Sequence, residues 1–498
     1  MRTCSAASAC SVNWRAKFRN RLAMPDSGEG ADRRLADLHR LSDDLADVSL
    51  RSLSQMLQTG EMTSLQVFER TMVSVEAQSH LGAFVTIAPD SGETQAIESD
   101  RRLRAGRARV LEGLPMPIKD VEATRGLRTT NGSRAFDDWI PNEDGGAAHA
   151  AREAGANIFL KTNTTELALT EQSSNPLGIV TRNPLSFGLT SGGSSAGAAA
   201  AVAAGIVPAA HGSDGAGSVR LPAALCGIVG FKPSYGVIPR HPVSDQWGGR
   251  SHHGVLGRTV DDIRYALQGF AVVDTRDPMT FPLAMDSKPI DDSSTANHLT
   301  FAALDTWGEC YVEPEIRTAI LTFADRLVSL GFERHEFEAT PDVGSIFERI
   351  YLPQLAYDVA RLNDPQKSLL GDEIRFWVDR AAEIDFRQYM DARDQRGQLN
   401  RWCSAAFADI DFLVLPSQHV LAWPVDGDGS CNEPLHTESI GDRLQFLAVF
   451  NLLGWPAISI PLGRSEDGRA IGVQLVCRRG EDMKLLDVAT ILEQLLGA

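Results

Sequence analysis

Lysine is scarce in this chain, with seven in 498 residues, and basic residues are outnumbered by acidic ones, 48 against 65. The resulting formal charge of -17 argues against a general nucleic-acid binder, and no basic cluster carries aromatics at regular spacing. Long apolar runs are missing too: none approaches the roughly 20 residues that span a bilayer, so no membrane partner is expected. Cysteine is sparse, odd in number and scattered, at positions Cys4, Cys10, Cys226, Cys310, Cys403, Cys431 and Cys477. There is no C-x-x-C pair, and free buried thiols in a reducing, cytoplasmic setting are the expectation. Histidines build no metal site: His335-Glu336 lacks a second histidine at helical spacing, and His252-His253 sit together in what reads as a Gly/Ser-rich loop.

What is present is an ordinary globular composition, 43% apolar and 23% charged, in a chain long enough for a substantial core. Residues 1–25 are basic, rich in Ser and Ala and free of acids, and residues 1–34 read as a disordered extension. From residue 35 onward we expect a single domain. Leu45, Val48, Leu53 and Leu57 fall at helical spacing, and a second helix starts near Ser64 after the Thr59–Thr63 break. Beyond them strands and helices alternate. Strands are expected at 81–88, Met116–Lys119, Asn157–Lys161, Ile206–Ala210, Gly227–Phe231, Leu299–Leu304, Asp411–Leu415, Ala457–Pro461 and Ile471–Val476. Helices are expected at Ala147–Ala154, Ser195–Gly205, Glu315–Leu330, through most of 345–408, at 440–453 and at the end of the chain; 282–298 and 421–437 read as loops. The pattern is that of an α/β fold with a mixed or parallel sheet.

Two glycine-rich turns flank the Ala-rich helix: Thr190-Ser-Gly-Gly-Ser-Ser-Ala-Gly197 before it, and Gly212-Ser-Asp-Gly-Ala-Gly-Ser-Val-Arg220 after it. Such turns let successive N–H groups converge, as an oxyanion hole requires, and each holds a serine, Ser194 and Ser218. Upstream, Lys119 ends the apolar run of Gly113-Leu-Pro-Met-Pro-Ile-Lys-Asp120. Burial there would lower its pKa and make it a base, so the residues point to a serine hydrolase with a lysine base. A Walker A loop fails for want of the following lysine, and a dinucleotide loop fails because Gly215-Ala-Gly217-Ser-Val ends in Arg220. Gly193-Ser-Ser195-Ala-Gly197 matches G-x-S-x-G, which would make Ser195 a nucleophile. The strand which that motif needs directly before the turn is replaced by what reads as a Pro/Gly/Ser loop, Asn183–Ser191. No lysine completes S-x-x-K.

These turns, with Cys226-Gly-Ile-Val-Gly-Phe-Lys-Pro-Ser-Tyr-Gly236, Pro117–Asp120, Lys161-Thr-Asn163, Ser174-Asn-Pro176, Asn183-Pro184, Phe450–Ser459 and Gly472–Val476, resemble the amidase signature hydrolases from about residue 45 to the C-terminus. The resemblance implies an α/β fold, a large mixed β-sheet covered by helices on both faces. It also implies hydrolysis of a carboxylic amide through an acyl-serine, with no metal or cofactor. By position Ser218 is similar to the family nucleophile, Ser194 to a bridging serine held in a cis conformation, and Lys119 to the terminal base. Backbone N–H groups of Gly215, Ala216, Gly217 and Ser218 would form the oxyanion hole, and Ala168 falls at a substrate-lining position. Ala216 stands where the family commonly has glycine, and we expect a negative φ there, with the methyl narrowing the pocket. Arg220, Asp120 and Asp214 are expected to brace turns, His211 to be a satisfied buried histidine, and Trp247 and Trp423 to shape a pocket or merely pack. The small-molecule substrate would be an amide, with a carbamate or ester as alternatives, and many relatives are homodimers. The remaining readings are the amide-cleaving component of a tRNA-dependent amidotransferase and a catalytically dead scaffold.

Overall fold

The computed structural model describes residues 45–242, 249–284, 299–337, 341–425 and 443–497. The extension at 1–34, Trp247 and most of the 282–298 and 421–437 segments lie outside the described residues. The described strands are β1 (Phe84–Ile87), β2 (Ile118–Lys119), β3 (Leu160–Thr162), β4 (Arg182–Asn183), β5 (Ser186–Thr190), β6 (Ala209–Asp214), β7 (Val229–Lys232), β8 (His252–Gly257), β9 (Thr300–Ala303), β10 (Glu333–Arg334), β11 (Phe412–Pro416), β12 (Ala457–Arg464) and β13 (Ala470–Val476). Eight form one sheet in the order β10-β9-β11-β13-β12-β7-β8-β6. In it β9 runs parallel to β10 and β11, and all other neighbours are antiparallel. The sheet is mixed, as expected.

Side-chain alternation divides its two faces. Phe412 and Val414, Ile458 and Ile460, Val473 and Leu475, and Val255 all enter one core, under the Val260–Phe270 and Asp482–Leu496 helices. Leu413, Leu415, Ala457 and Val476 enter the other, with the Arg220–Cys226 and Gln445–Leu453 helices. Both faces are therefore covered by helices. The expected helical stretch at 345–408 is four helices, Gly344–Ala360, Asp364–Ser368, Asp372–Ala381 and Phe386–Ala406.

Two expectations need correction. His252 and His253 are in β8, not in a loop: this strand lies between β7 and β6, and its residues are buried along its whole length. Full burial removes the polar alternation that marks a strand in sequence, and its two glycines mimic a turn. The Asn183–Ser191 segment likewise contains β5, paired antiparallel with β4.

A second, three-stranded sheet runs β1-β3-β2. It meets the large sheet where β2 adjoins the edge strand β6, the His211 N–H donating to the Pro117 carbonyl at 3.0 Å. That seam positions the candidate site.

Candidate active site

Lys119 is the last residue of β2, Ser194 lies in the turn before the Ala196–Ala203 helix, and Ser218 lies between β6 and the Arg220–Cys226 helix. The small helix is Ala and Gly throughout except Val202. Gly197 lets it close on the second sheet, its N–H donating to the Asn163 carbonyl at 3.0 Å. Lys119 and Ser194 are fully buried, with Lys119 Nζ 2.7 Å from Ser194 Oγ. The same Nζ donates to the Ser213 carbonyl at 3.2 Å. Burial lowers the Lys119 pKa from 10.5 to about 7, although the Asp214 charge acts in the opposite sense. The Gly193–Ser194 peptide is cis. A side chain at Gly193 would collide with the Gln172 carbonyl, so that turn requires glycine.

The two serine turns are tied together by the Ser195 N–H, which donates to the Ser218 carbonyl at 3.2 Å. Ser218 is half-buried and lines a small cavity with Ala168, Leu169, Gly215, Ala216, Leu221, Arg250, Phe347, Tyr351 and Leu444. Its Oγ makes no hydrogen bond among the described residues, so Lys119 and Ser194 are in contact while the step to Ser218 stands open. Ser195, the rival serine, is fully buried and donates to the Ser213 carbonyl at 3.2 Å. It faces the fold's interior rather than a pocket, which removes the nucleophile-elbow reading.

Four backbone donors are expected at the oxyanion position, and one is already committed. The Gly217 N–H donates to Asp214 Oδ1 at 2.7 Å. The N–H groups of Gly215, Ala216 and Ser218 find no acceptor among the described residues, and these three residues line the cavity. Ala216 is not among the residues with positive φ, as anticipated, whereas Gly217 has φ +117°. Ala168 does adopt a left-handed conformation (φ 56°), together with Leu167 (φ 50°), which turns the chain into the cavity wall.

Asp214 and Arg220 brace the Ser218 turn. Both are fully buried, joined by Arg220 Nη2 to Asp214 Oδ1 at 2.8 Å and Nε to Oδ2 at 3.0 Å. The Asp214 carboxylate also accepts the Val219 N–H at 3.1 Å. Burial pushes the Asp214 carboxyl up, but the Arg220 charge and hydrogen bonds outweigh it and hold the group below the ordinary carboxylate range. Arg220 Nη2 donates further to Asn451 Oδ1 at 2.6 Å, and Asn451 Nδ2 donates to the Asp214 carbonyl at 2.7 Å. Asp120 braces a neighbouring turn, accepting the Thr130 N–H at 2.9 Å.

His211 is satisfied and buried, and its bonds define a chain that sequence reasoning missed. The Lys119 N–H donates to His211 Nδ1 at 3.3 Å, which leaves the proton on Nε2. That Nε2 meets His253 Nδ1 at 2.9 Å, and His253 Nε2 is 3.4 Å from Glu122 Oε2. Each bond sets the tautomer of the next ring. Burial lowers both imidazole pKa values well below the usual 6.5, so both rings stay neutral. Replacing His253 by alanine should strand a buried N–H and cost about 1–3 kcal/mol in a urea titration. A change too small to measure would mean the chain contributes nothing to stability. Glu122 stands two positions past Asp120, but nothing in the sequence marks it or Arg250 as a site residue. Asn451 lies within the Phe450–Ser459 stretch and was visible there. Trp423 is buried in the core and lines none of the cavities beside Ser218.

An amidase family model matches residues 67–486. An acylamidase of Rhodococcus erythropolis is 31% identical over 459 residues, covering 90% of this chain and 95% of that protein. A glutamyl-tRNA(Gln) amidotransferase subunit of Roseiflexus sp. (strain RS-1) is 28% identical, covering 89% and 95%. Among solved structures, a bacterial aryl acylamidase of the amidase signature family superposes with a TM-score of 0.80 at 23% identity, covering 90% and 96%. The fold and the match agree: the chain belongs to the amidase family and is an enzyme that hydrolyses carbon–nitrogen amide bonds. Among the described residues, no helix is long and apolar enough to cross a membrane.

Proposed function

We propose that Ser218 is the nucleophile, Ser194 the proton bridge and Lys119 the base. The observation that carries this reading is the fully buried Lys119 amine 2.7 Å from Ser194 Oγ, at the end of a turn tied to the Ser218 turn. Neutral Lys119 accepts the Ser194 proton as Ser194 Oγ accepts that of Ser218, whose oxygen attacks the amide carbonyl. The relay requires the Ser218 hydroxyl to come within hydrogen-bond reach of Ser194 Oγ. The N–H groups of Gly215, Ala216 and Ser218 hold the developing oxyanion, each good donor being worth about 3–4 kcal/mol at comparable sites. Ser194 then protonates the departing amine, and water repeats the sequence to release the acid. The four described cysteines are buried free thiols, which supports residence in the cytoplasm. We take residues 35–498 to act as one catalytic unit.

The base must be neutral to act, so activity rises as pH climbs through its pKa. With Lys119 at about 7, kcat/KM should increase from pH 6 and level off above about pH 8. Lys119→Met, which keeps the stem and removes the amine, should lower kcat by about 10²–10⁴-fold and erase that inflection. A wild-type profile flat from pH 6 to 10, with chemistry shown to be rate-limiting, would count against a titrating lysine.

The similarity to an amidotransferase component favours a second reading, in which the same site releases ammonia for a partner complex. Hydrolysis of simple amides by the isolated chain opposes it; activity only in a purified complex supports it.

A further inference from the structure

Lys119 is held to β6 at two points. Alternation along β2 turns the Asp120 N–H to β3, where it donates to the Thr162 carbonyl at 3.1 Å, and turns the Lys119 N–H the other way, to β6. There it meets the ring of His211 rather than a backbone carbonyl, 3.3 Å from Nδ1. The amine at the tip of the side chain donates to the carbonyl of Ser213, two residues further along the same strand. One strand therefore grips the base by its backbone and by its tip. The His211 ring is itself held, lying against Phe270 with ring centroids 5.8 Å apart.

The grip works in one tautomer only. With its proton on Nε2, His211 offers a lone pair to Lys119; with the proton on Nδ1, two N–H donors would face each other. His253 Nδ1 accepts the His211 Nε2 proton, and the Glu122 carboxylate accepts that of His253 in turn. Glu122 is not able to exchange its two oxygens. Its Oε1 accepts the Ala147 and Ala148 N–H groups at 2.9 and 3.3 Å, at the start of the Gly146–Glu153 helix, which leaves Oε2 for His253. Burial pushes the Glu122 carboxyl up from 4.5 to about 7, so above that pH it is the ionised acceptor this order needs. Glu122 and His253 line a pocket of about 420 Å³ beside the Ser218 cavity, whereas His211 lines neither.

We infer that His211 is a positioning residue for amide hydrolysis, setting where Lys119 stands against Ser194, and that His253 and Glu122 act through it by fixing its tautomer. The inference rests on the proposed triad, since it concerns the placement of that triad's base. None of the three side chains lines the Ser218 cavity, so their effect falls on proton transfer and not on binding there. Displacing a reacting group by about 1 Å can cost ~100-fold in rate. The chain carries no proton to or from Lys119 Nζ; it keeps one order of donors throughout.

The test follows Ser218 labelling by a fluorophosphonate at about pH 8.5, where Glu122 is ionised and Lys119 neutral. The maximal rate is read separately from the half-saturating concentration. His211→Leu, which removes the acceptor, should lower the maximal rate at least ~10-fold and leave the half-saturating concentration within ~2-fold. His211→Asn places an amide oxygen where Nδ1 stood and should recover the rate to within ~3-fold of the wild type. Glu122→Gln keeps the helix contact through its oxygen but turns an N–H toward His253, which reverses the donor order back to Lys119. It should slow labelling at least ~5-fold in the wild type and less than ~2-fold in His211→Asn, which has no ring to reverse. A wild-type rate in His211→Leu, beside a slow Lys119→Met, would overturn the inference and leave the triad standing. Equal slowing by Glu122→Gln in both backgrounds would overturn it too, since a glutamate that only supports the fold acts on both alike. If Lys119→Met labels as fast as the wild type, the triad reading fails and the inference with it.

Discussion

Alanine at position 218 is expected to remove essentially all turnover, a loss on the order of 10⁶ in kcat, the scale seen when a serine nucleophile is taken from a set of groups that act together. Folding should be untouched, because Ser218 is half-buried and its hydroxyl makes no hydrogen bond among the described residues. Thermal unfolding of Ser218→Ala should therefore overlay the wild type. Interdependence is the sharper signature. If Lys119 acts only through Ser194 and Ser218, adding Lys119→Met to Ser218→Ala should cost little more. A double variant whose losses multiply would mean the lysine serves some other step. Residual activity of a few per cent in Ser218→Ala would mean that another group attacks the carbonyl.

The second large effect is on stability, at Asp214. Asp214→Asn leaves Arg220 fully buried without its counter-charge, which costs about 3–5 kcal/mol when one partner of a buried pair is removed. The amide also turns N–H donors toward the Arg220 donors and cannot replace both carboxylate oxygens, which accept from Gly217 and Val219. The Ser218 turn should loosen with the fold, so activity falls as well. The wild-type carboxyl is held below its ordinary value of 3.8. Its stabilising contribution is thus complete above about pH 4 and fades as pH falls toward the folded-state value. A urea midpoint for Asp214→Asn equal to that of the wild type would show that the buried pair is not what holds this turn.

How much of this was legible in the sequence depended on whether local chemistry carried the signal. The two serine turns were readable because closely spaced glycines have few other uses, and Gly217, at φ +117°, is used as such a position is expected to be. Lys119 stood out through its scarcity and its apolar flank, and the structure buries it completely. β8 was lost because a strand buried on both faces has no alternation, and two histidines beside a glycine imitate a loop. Gly217 was counted among the oxyanion donors because the sequence does not show that the Asp214 side chain folds back onto its N–H. The pocket beside the Ser218 cavity was invisible for another reason: Glu122, Ala168, Arg250 and Tyr351 line it from four separate stretches of chain and meet only in the fold. Spacing rules see one helix or one turn at a time, and a pocket assembled across the sheet seam leaves no such trace.

The most direct measurement is to treat the full chain with a fluorophosphonate at pH 8–9 and locate the adduct by peptide mass spectrometry. A single adduct on Ser218, absent in Ser218→Ala and slowed in Lys119→Met, is the result expected of an activated Ser218. An adduct on Ser195 or any other serine, or no adduct while amide hydrolysis is measurable, would contradict it.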